Sequence, residues 1–525
     1  MLKERLLPHI WFSYGFLVLA ASFGLLYAMQ LLGQGTGLIR PDLARSLHIS
    51  LMLYGFVPLM MTLLPFALFD KEGVMNEAAW QWLEKFLWLW YIFLIFLIFS
   101  LLAGVTRGLP FYDFPYELNG LLALAGLFYM VAILKSIKAY TVKPLWVKVS
   151  LVLIIVSPFA LLLLMNPDYG QVEKMLLGPH GDNTLGMSFA LVAVYYLAIK
   201  LASPQTSFHT RWHALWMVPL GFYLLSVLYR SFIGSLSYNA EWFLQYLTLL
   251  YLPLLYRWWK DAGLSYRRNL TLFISISAFL FADVEGNILF IPQLRALFHR
   301  NDLVVGHAHI AVGIGLLFLA LSVIEPFVRI SHRRALYLTT MLGLMALVLS
   351  ISGYEQAGFA PMHTETMWQL RALFGLLFLL GLLVWKKIFS VLTYRRLIGQ
   401  KRAIDLYNLA GFLSDGAGGL LLVLFGSALY GFIGEAFAPG YQQIVFGFVL
   451  GVGLLHLTAF LKPESGYVLA TGTVVLRTVT AAGFFALYKA GVLGWIAAAI
   501  AAVDLAFVLV YLIFIKDSDE KMAFD

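Results

Sequence analysis

Two histidines two residues apart, His307 and His309, stand in the otherwise apolar run NDLVVGHAHIAVGIG, and a third, His48, stands in the run ARSLHISLMLYGF. Neutral imidazole is a common ligand for transition metals and for haem iron. If the run around the pair is a helix, positions i and i+2 lie about 200° apart around its axis. His307 and His309 then point to opposite faces and cannot grip one metal together. They can serve two separate centres, or each can be satisfied by polar neighbours in a packed core. An ionisable residue inside a long apolar segment marks a functional site by default.

The elements that carry these residues follow from composition. Of the 525 residues, 61% are hydrophobic and only 12% charged, about half the charged share of a soluble domain. The apolar runs are about 20 residues long, which is what crossing a hydrocarbon core of about 30 Å requires. Continuous runs of this length satisfy their backbone in lipid as helices. Roughly sixteen spans are expected: 10–33, 43–68, 82–105, 118–134, 145–165, 183–199, 212–229, 242–256, 269–291, 303–324, 335–354, 367–385, 408–434, 441–461, 466–488 and 492–515. The expected fold is an all-α polytopic transmembrane bundle.

The net charge of +8 does not indicate nucleic acid, because the basic residues sit in short loops between apolar runs. With the N-terminus in the cytoplasm, about 26 Lys and Arg fall on the cytoplasmic side and about 8 opposite, a positive-inside asymmetry. Both termini are then expected in the cytoplasm of a prokaryotic inner membrane. Lys3, Glu4 and Arg5 run directly into a full-length span, so no cleavable leader is expected. There is no cysteine, which excludes disulfides, thiolate metal sites, iron–sulfur clusters and a covalently attached c-type haem.

In this topology spans 2 and 10 both start on the non-cytoplasmic side, so His48 and His309 lie at nearly the same depth. Two histidines at one depth on different helices suit the axial ligands of a single low-spin haem. His307, on the other face, suits the lone ligand of a second haem with one side open. Polar packing remains the alternative. Arg45, Arg295, His299 and Arg300 fall at the edge nearest these histidines, where they could pair with haem propionates or simply anchor the interface. Asp283 and Glu285 sit inside span 9 and suit a proton or electrostatic network.

The stretch from span 9 into span 10 resembles the haem–copper oxidase catalytic subunits. It is most similar to the C-type (cbb-type) branch and its nitric oxide reductase relatives. The matching residues are Glu285-Gly286, Leu297-Phe298-His299, Asp302 and Gly306-His307-Ala308-His309, with Arg45 and His48 in span 2 and Ser352-Gly353, Gln356 and Arg371-Ala372-Leu373 later. The resemblance covers residues 1–390 and implies a twelve-helix core with two b-type haems. One is bis-His low-spin, on His48 and His309, and one is high-spin, on His307. It leaves 391–407 as a basic cytoplasmic connector and 408–525 as a four-helix extension of unassigned role.

The chain departs from the family at the third metal, which needs three histidines. Asp182 stands where the first is expected, with His180 two residues earlier. Gly234 and Ser235 stand in place of the pair, with Tyr238 nearby in the position of an active-site tyrosine. No adjacent His-His occurs anywhere in the chain. Copper favours imidazole nitrogen and harder ions favour carboxylate. Copper is therefore expected to be absent, while a non-haem iron on His180, Asp182 and Glu285 remains open. The resemblance implies a respiratory oxidoreductase that acts on nitric oxide rather than dioxygen at the His307 haem, with His307, Tyr238, Asp182 and Glu285 as the reacting set. The alternatives are a diheme electron-transfer subunit of a larger complex and a haem-free transporter. Expected partners are membrane lipid and a cytochrome subunit or quinol as electron donor, within a multi-subunit assembly.

Overall fold

The computed structural model describes residues 2–34, 39–107, 113–140, 147, 182–204, 213–298, 301–383, 403–432, 434, 436–462 and 466–515. The regular elements among them are all helical. Twelve helices among the described residues are long and apolar enough to cross a membrane, and the protein is an integral membrane helix bundle. The chain divides into two compact units, residues 1–33 with 41–384 and residues 34–40 with 385–525.

The first unit opens with α1 (Leu2–Leu31), α2 (Pro41–Tyr54), α3 (Phe56–Met61), α4 (Leu64–Lys71), α5 (Glu77–Leu102) and α6 (Asn119–Ile137). It continues with α7 (Asp182–Ala202), α8 (His213–Phe232), α9 (Tyr238–Tyr246), α10 (Tyr251–Asp261), α11 (Leu270–Leu289) and α12 (Pro292–Phe298). The last four are α13 (Asp302–Ala308), α14 (Leu317–Ile324), α15 (His332–Gln356) and α16 (Thr364–Leu383).

The bundle is apolar outside as well as in, as lipid demands. On α5, Trp88, Ile92, Phe96 and Phe99 recur at helical spacing and are exposed, while Tyr91 is buried. The Tyr91 hydroxyl lies 3.1 Å from His9 Nδ1 and 3.2 Å from Ser13 Oγ, on α1. Polar groups are thus turned inward, where only protein can satisfy them.

Several expected spans are not uniform helices. Span 2 is three pieces, broken at Gly55, where an added Cβ would meet the Leu51 carbonyl oxygen at 2.3 Å and the Phe16 Cβ at 3.2 Å. Span 8 runs from 238 to 261, longer than the expected 242–256, with a 3₁₀ turn at Leu247–Leu250 joining α9 to α10. Span 10 contains a π-helical segment, His309–Leu316, between α13 and α14. A π segment releases backbone carbonyls from their usual partners, and here Ser275 Oγ of α11 donates to the Gly315 carbonyl at 2.6 Å. Span 5, expected at 145–165, lies outside the described residues apart from Val147.

The second unit holds α17 (Ala403–Gly411), a π segment (Phe412–Ala417), α18 (Gly418–Phe432), α19 (Pro439–Leu461), α20 (Gly466–Lys489) and α21 (Trp495–Val510), which a further π segment (Tyr511–Ile515) extends. Helix α17 begins at Ala403, inside the segment expected as connector. Small residues bring its backbones close, as is usual in lipid. A Cβ on Gly453 would lie 2.0 Å from the Gly416 nitrogen. Ile404, Tyr407, Ala470, Val474, Val508 and Tyr511 form its apolar core.

Candidate functional site: three histidines on facing helices

The His-bearing helix is fixed first at its N-terminus. Asn301 Oδ1 accepts the Leu303 amide at 3.0 Å and Asn301 Nδ2 donates to the Gly353 carbonyl at 2.9 Å. Asp302 accepts from Ser352 Oγ and Gln356 Nε2, both at 2.7 Å, and from the Arg371 guanidinium. A carboxylate in the first turn of a helix also complements its dipole. The backbone of α13 lies directly against α15: a Cβ on Gly353 would stand 2.4 Å from the Leu303 nitrogen, and one on Gly306 would stand 2.9 Å from the Ala346 carbonyl oxygen. One turn of helix is therefore held by one cap, an ion pair and two glycine contacts just before the histidines begin.

His307 and His309 then serve different neighbours. His307 faces α11, where its Nδ1 donates to Glu285 Oε2 at 3.2 Å. Gly286 lies beside the same ring: a Cβ there would be at van der Waals distance, 3.4 Å, from His307 Cε1. His309 faces α2. Its ring centroid is 6.3 Å from that of His48, with the planes inclined by 23°.

Both rings of that pair are oriented by backbone. His48 Nδ1 donates to the Ala20 carbonyl and His309 Nδ1 to the Val305 carbonyl, each at 2.8 Å. A carbonyl can only accept, so each Nδ1 carries the proton and each Nε2 keeps its lone pair. Two imidazoles that shared one metal ion, each through a nitrogen at about 2.0 Å, would have ring centroids about 6.3 Å apart. The observed centroid separation matches that spacing, and both Nδ1 atoms are committed to backbone carbonyls. Gly24 completes the cradle, since a Cβ there would stand 2.7 Å from His48 Nδ1 and 2.9 Å from Cε1.

Around His307 lies a polar network that spacing alone does not reveal. Asn287 Nδ2 donates to Thr248 Oγ1 at 3.1 Å and to the Asp283 carbonyl at 2.8 Å. Gln245 Nε2 donates to the Gly286 carbonyl at 3.1 Å. Asp283 Oδ2, Asn287 Oδ1 and the Tyr251 hydroxyl are buried without a hydrogen-bond partner among the described residues. Thr248, Tyr251 and Asn287 were not anticipated. Their signal was faint: single polar residues in spans 8 and 9.

The remaining candidates are scattered. The Tyr238 hydroxyl donates to the Phe290 carbonyl at the C-terminus of α11, and the Arg295 guanidinium lies 5.2 Å from its ring centre. Both residues thus sit about one helical turn beyond Gly286. Arg45 is exposed, one turn before His48 on α2. His180, His299 and Arg300 lie outside the described residues, and so does the side chain of Asp182, the first residue of α7. No cluster of three or more His, Cys, Asp or Glu residues suited to a metal occurs among the described residues. No protein-family model matches the chain, and no curated protein matches it.

Proposed function

We propose that this protein is a diheme b-type membrane oxidoreductase, with His48 and His309 as the two axial ligands of a low-spin haem and His307 as the single protein ligand of a high-spin one. The observation that carries the reading is the His48–His309 pair: centroids 6.3 Å apart, both Nδ1 atoms committed to backbone carbonyls, both Nε2 lone pairs available. When bound, the haems would supply one-electron iron chemistry and, at the one held by His307 alone, a place for a small diatomic. The chain's own residues do the positioning. Ala20 and Val305 hold the tautomers of the low-spin pair. Glu285 orients His307 and, as an anion on its Nδ1–H, increases its basicity as a ligand. Asp283, Asn287 and Thr248 form a buried polar network on the side of α11 turned away from Glu285, suited to carrying protons within the bundle.

The favoured substrate is nitric oxide rather than dioxygen, because the sequence has no His-His pair to hold copper. The same fact favours a second reading, a diheme subunit that passes electrons within a larger respiratory complex without reducing a gas itself. In both readings electrons come from quinol or a cytochrome subunit, and the protein resides in a prokaryotic cytoplasmic membrane with both termini inside.

The reduced-minus-oxidised spectrum of the purified protein tests the proposal, with two b-type haems per chain expected. Absence of b-type bands would end both haem readings. Carbon monoxide binding by half of the reduced haem is expected, and turnover of nitric oxide separates the enzyme from the electron-transfer subunit.

One substitution probes the cradle. Gly24→Ala puts a methyl group against the His48 ring, which must swing away from the Ala20 carbonyl. Overpacking of this kind costs about 1–3 kcal/mol. The low-spin bands should broaden or shift while carbon monoxide binding stays at its original level. An unchanged low-spin spectrum would remove Gly24 from the site.

A further inference from the structure

The second unit contains a charge cluster that plays no part in the haem reading. Arg477 of α20 is 2% exposed and lies between two carboxylates. Its Nη1 donates to Asp504 of α21 at 2.6 Å, and its Nη2 donates to Asp415 in the first π segment of this unit. Thr480 Oγ1 donates to Asp504 at 2.8 Å and Ser414 Oγ to Asp415 at 3.0 Å. The guanidinium also lies 4.0 Å from the centre of the Phe507 ring. All three charged residues fall near the middle of their spans, Ala403–Val423, Gly466–Lys489 and Trp495–Ile513. They therefore sit near the centre of the hydrocarbon layer, where no surface water compensates a charge.

The charges do not balance. Two carboxylates and one guanidinium sum to −1, and among the described residues the titratable groups near them, Tyr407 and His456, add no positive charge when neutral. An uncompensated charge at this depth is among the most expensive features a membrane protein can hold.

A second observation points the same way. His456 of α19 is fully buried. Its Nδ1 donates to Asn408 Oδ1 at 3.0 Å, which leaves Nε2 as an acceptor, and that atom has no partner among the described residues. Arg477 Nε is likewise buried and unpartnered there. The Tyr407 ring lies 5.5 Å from that of His456, and the Arg477 charge bears on both. Donors and acceptors are therefore left over around the ion triad, in a unit otherwise closed by glycine contacts.

We propose that Asp415, Arg477 and Asp504 form a membrane-embedded proton-binding site that holds one proton on its carboxylate pair. The proton makes the triad neutral: one carboxylate is ionised against the guanidinium, and the other is a neutral acid that still accepts from it. The site is suited to holding a proton within the membrane, and His456 Nε2 is a further buried acceptor in the same unit.

Infrared spectroscopy of the full chain in lipid nanodiscs at neutral pH tests this, because a carboxylic acid and a carboxylate absorb separately. The wild-type minus Asp504→Asn difference should show the loss of one carboxylic acid band with no net loss of carboxylate. Asp415→Asn should give the same result, since whichever residue remains pairs with Arg477 as an anion. Arg477→Gln should show the opposite, a gain of acid absorption at the expense of carboxylate. Loss of a carboxylate band without an acid band in both Asn variants would overturn the proposal, because it would mean that the triad carries its net negative charge. If Arg477→Gln fails to fold, the two Asn variants, which leave a neutral Asp–Arg pair, still decide the question.

Discussion

Replacement of His48 or His309 by alanine is expected to abolish the low-spin haem spectrum and leave the carbon monoxide-binding haem in place, whereas His307→Ala does the reverse. The argument is geometric. His309 turns toward His48 on α2, and His307 toward Glu285 on α11. Removing either member of the first pair takes one of two axial ligands from a single iron, so both variants should give one phenotype. Removing His307 takes the only protein ligand from the other. The measurements are the reduced-minus-oxidised spectrum and the carbon monoxide difference spectrum, each normalised to haem per chain. If all three variants lost both haems equally, or none lost either, the assignment of the two histidines to separate centres would fail. Glu285→Gln provides an internal control: it keeps an acceptor at His307 Nδ1 but removes the anion. It should therefore shift the high-spin centre without emptying it.

What could be anticipated about this site follows from which signals are local. The three histidines stood out because an ionisable side chain in an apolar run has few ordinary explanations, and 3.6 residues per turn separated the two faces of span 10. The depth of His48 and His309 followed from loop charge. By contrast, nothing in HIAVGIGL marks a π segment, since it carries no proline and its two glycines are common in transmembrane helices. Within the segment, Ser275 on α11 donates to the Gly315 carbonyl, a tertiary contact that no local pattern announces. At the break, Gly55 has both a local and a tertiary constraint: an added Cβ would meet the Leu51 carbonyl oxygen of its own span and Phe16 on α1.

The partners of Asp302 were also out of reach of periodicity. Ser352, Gln356 and Arg371 lie 50, 54 and 69 residues away, and no spacing rule connects them. In the second unit, Asp415, Arg477 and Asp504 each look like a lone charge in its own span. Only the folded unit gathers them onto one guanidinium, which is why the sequence assigned that region no role. The polar groups around His307 show the same limit, because Thr248, Tyr251 and Asn287 acquire meaning only when α9, α10 and α11 meet.

Arg371→Ala should be the most destabilising single change in the first unit. Arg371 is 8% exposed, and Asp302, its partner, is the first residue of the span that carries both histidines. Truncating the arginine leaves a largely buried carboxylate with only Ser352 and Gln356 as neutral donors, and breaking a buried ion pair in this way costs about 3–5 kcal/mol. Asp302→Asn removes the charge at the same position, so the double variant should recover part of the loss, the signature of a coupled pair in a double-mutant cycle. Thermal unfolding in detergent measures this directly. Arg371 also lies within electrostatic reach of His309. Removing a fixed positive charge there favours the ferric state, so the midpoint potential of the low-spin haem should fall in the variant. A stability within about 0.5 kcal/mol of wild type, the range of an ordinary surface substitution, would show that Arg371 does not hold the His-bearing helix. An unchanged potential in a destabilised variant would confine its role to the fold.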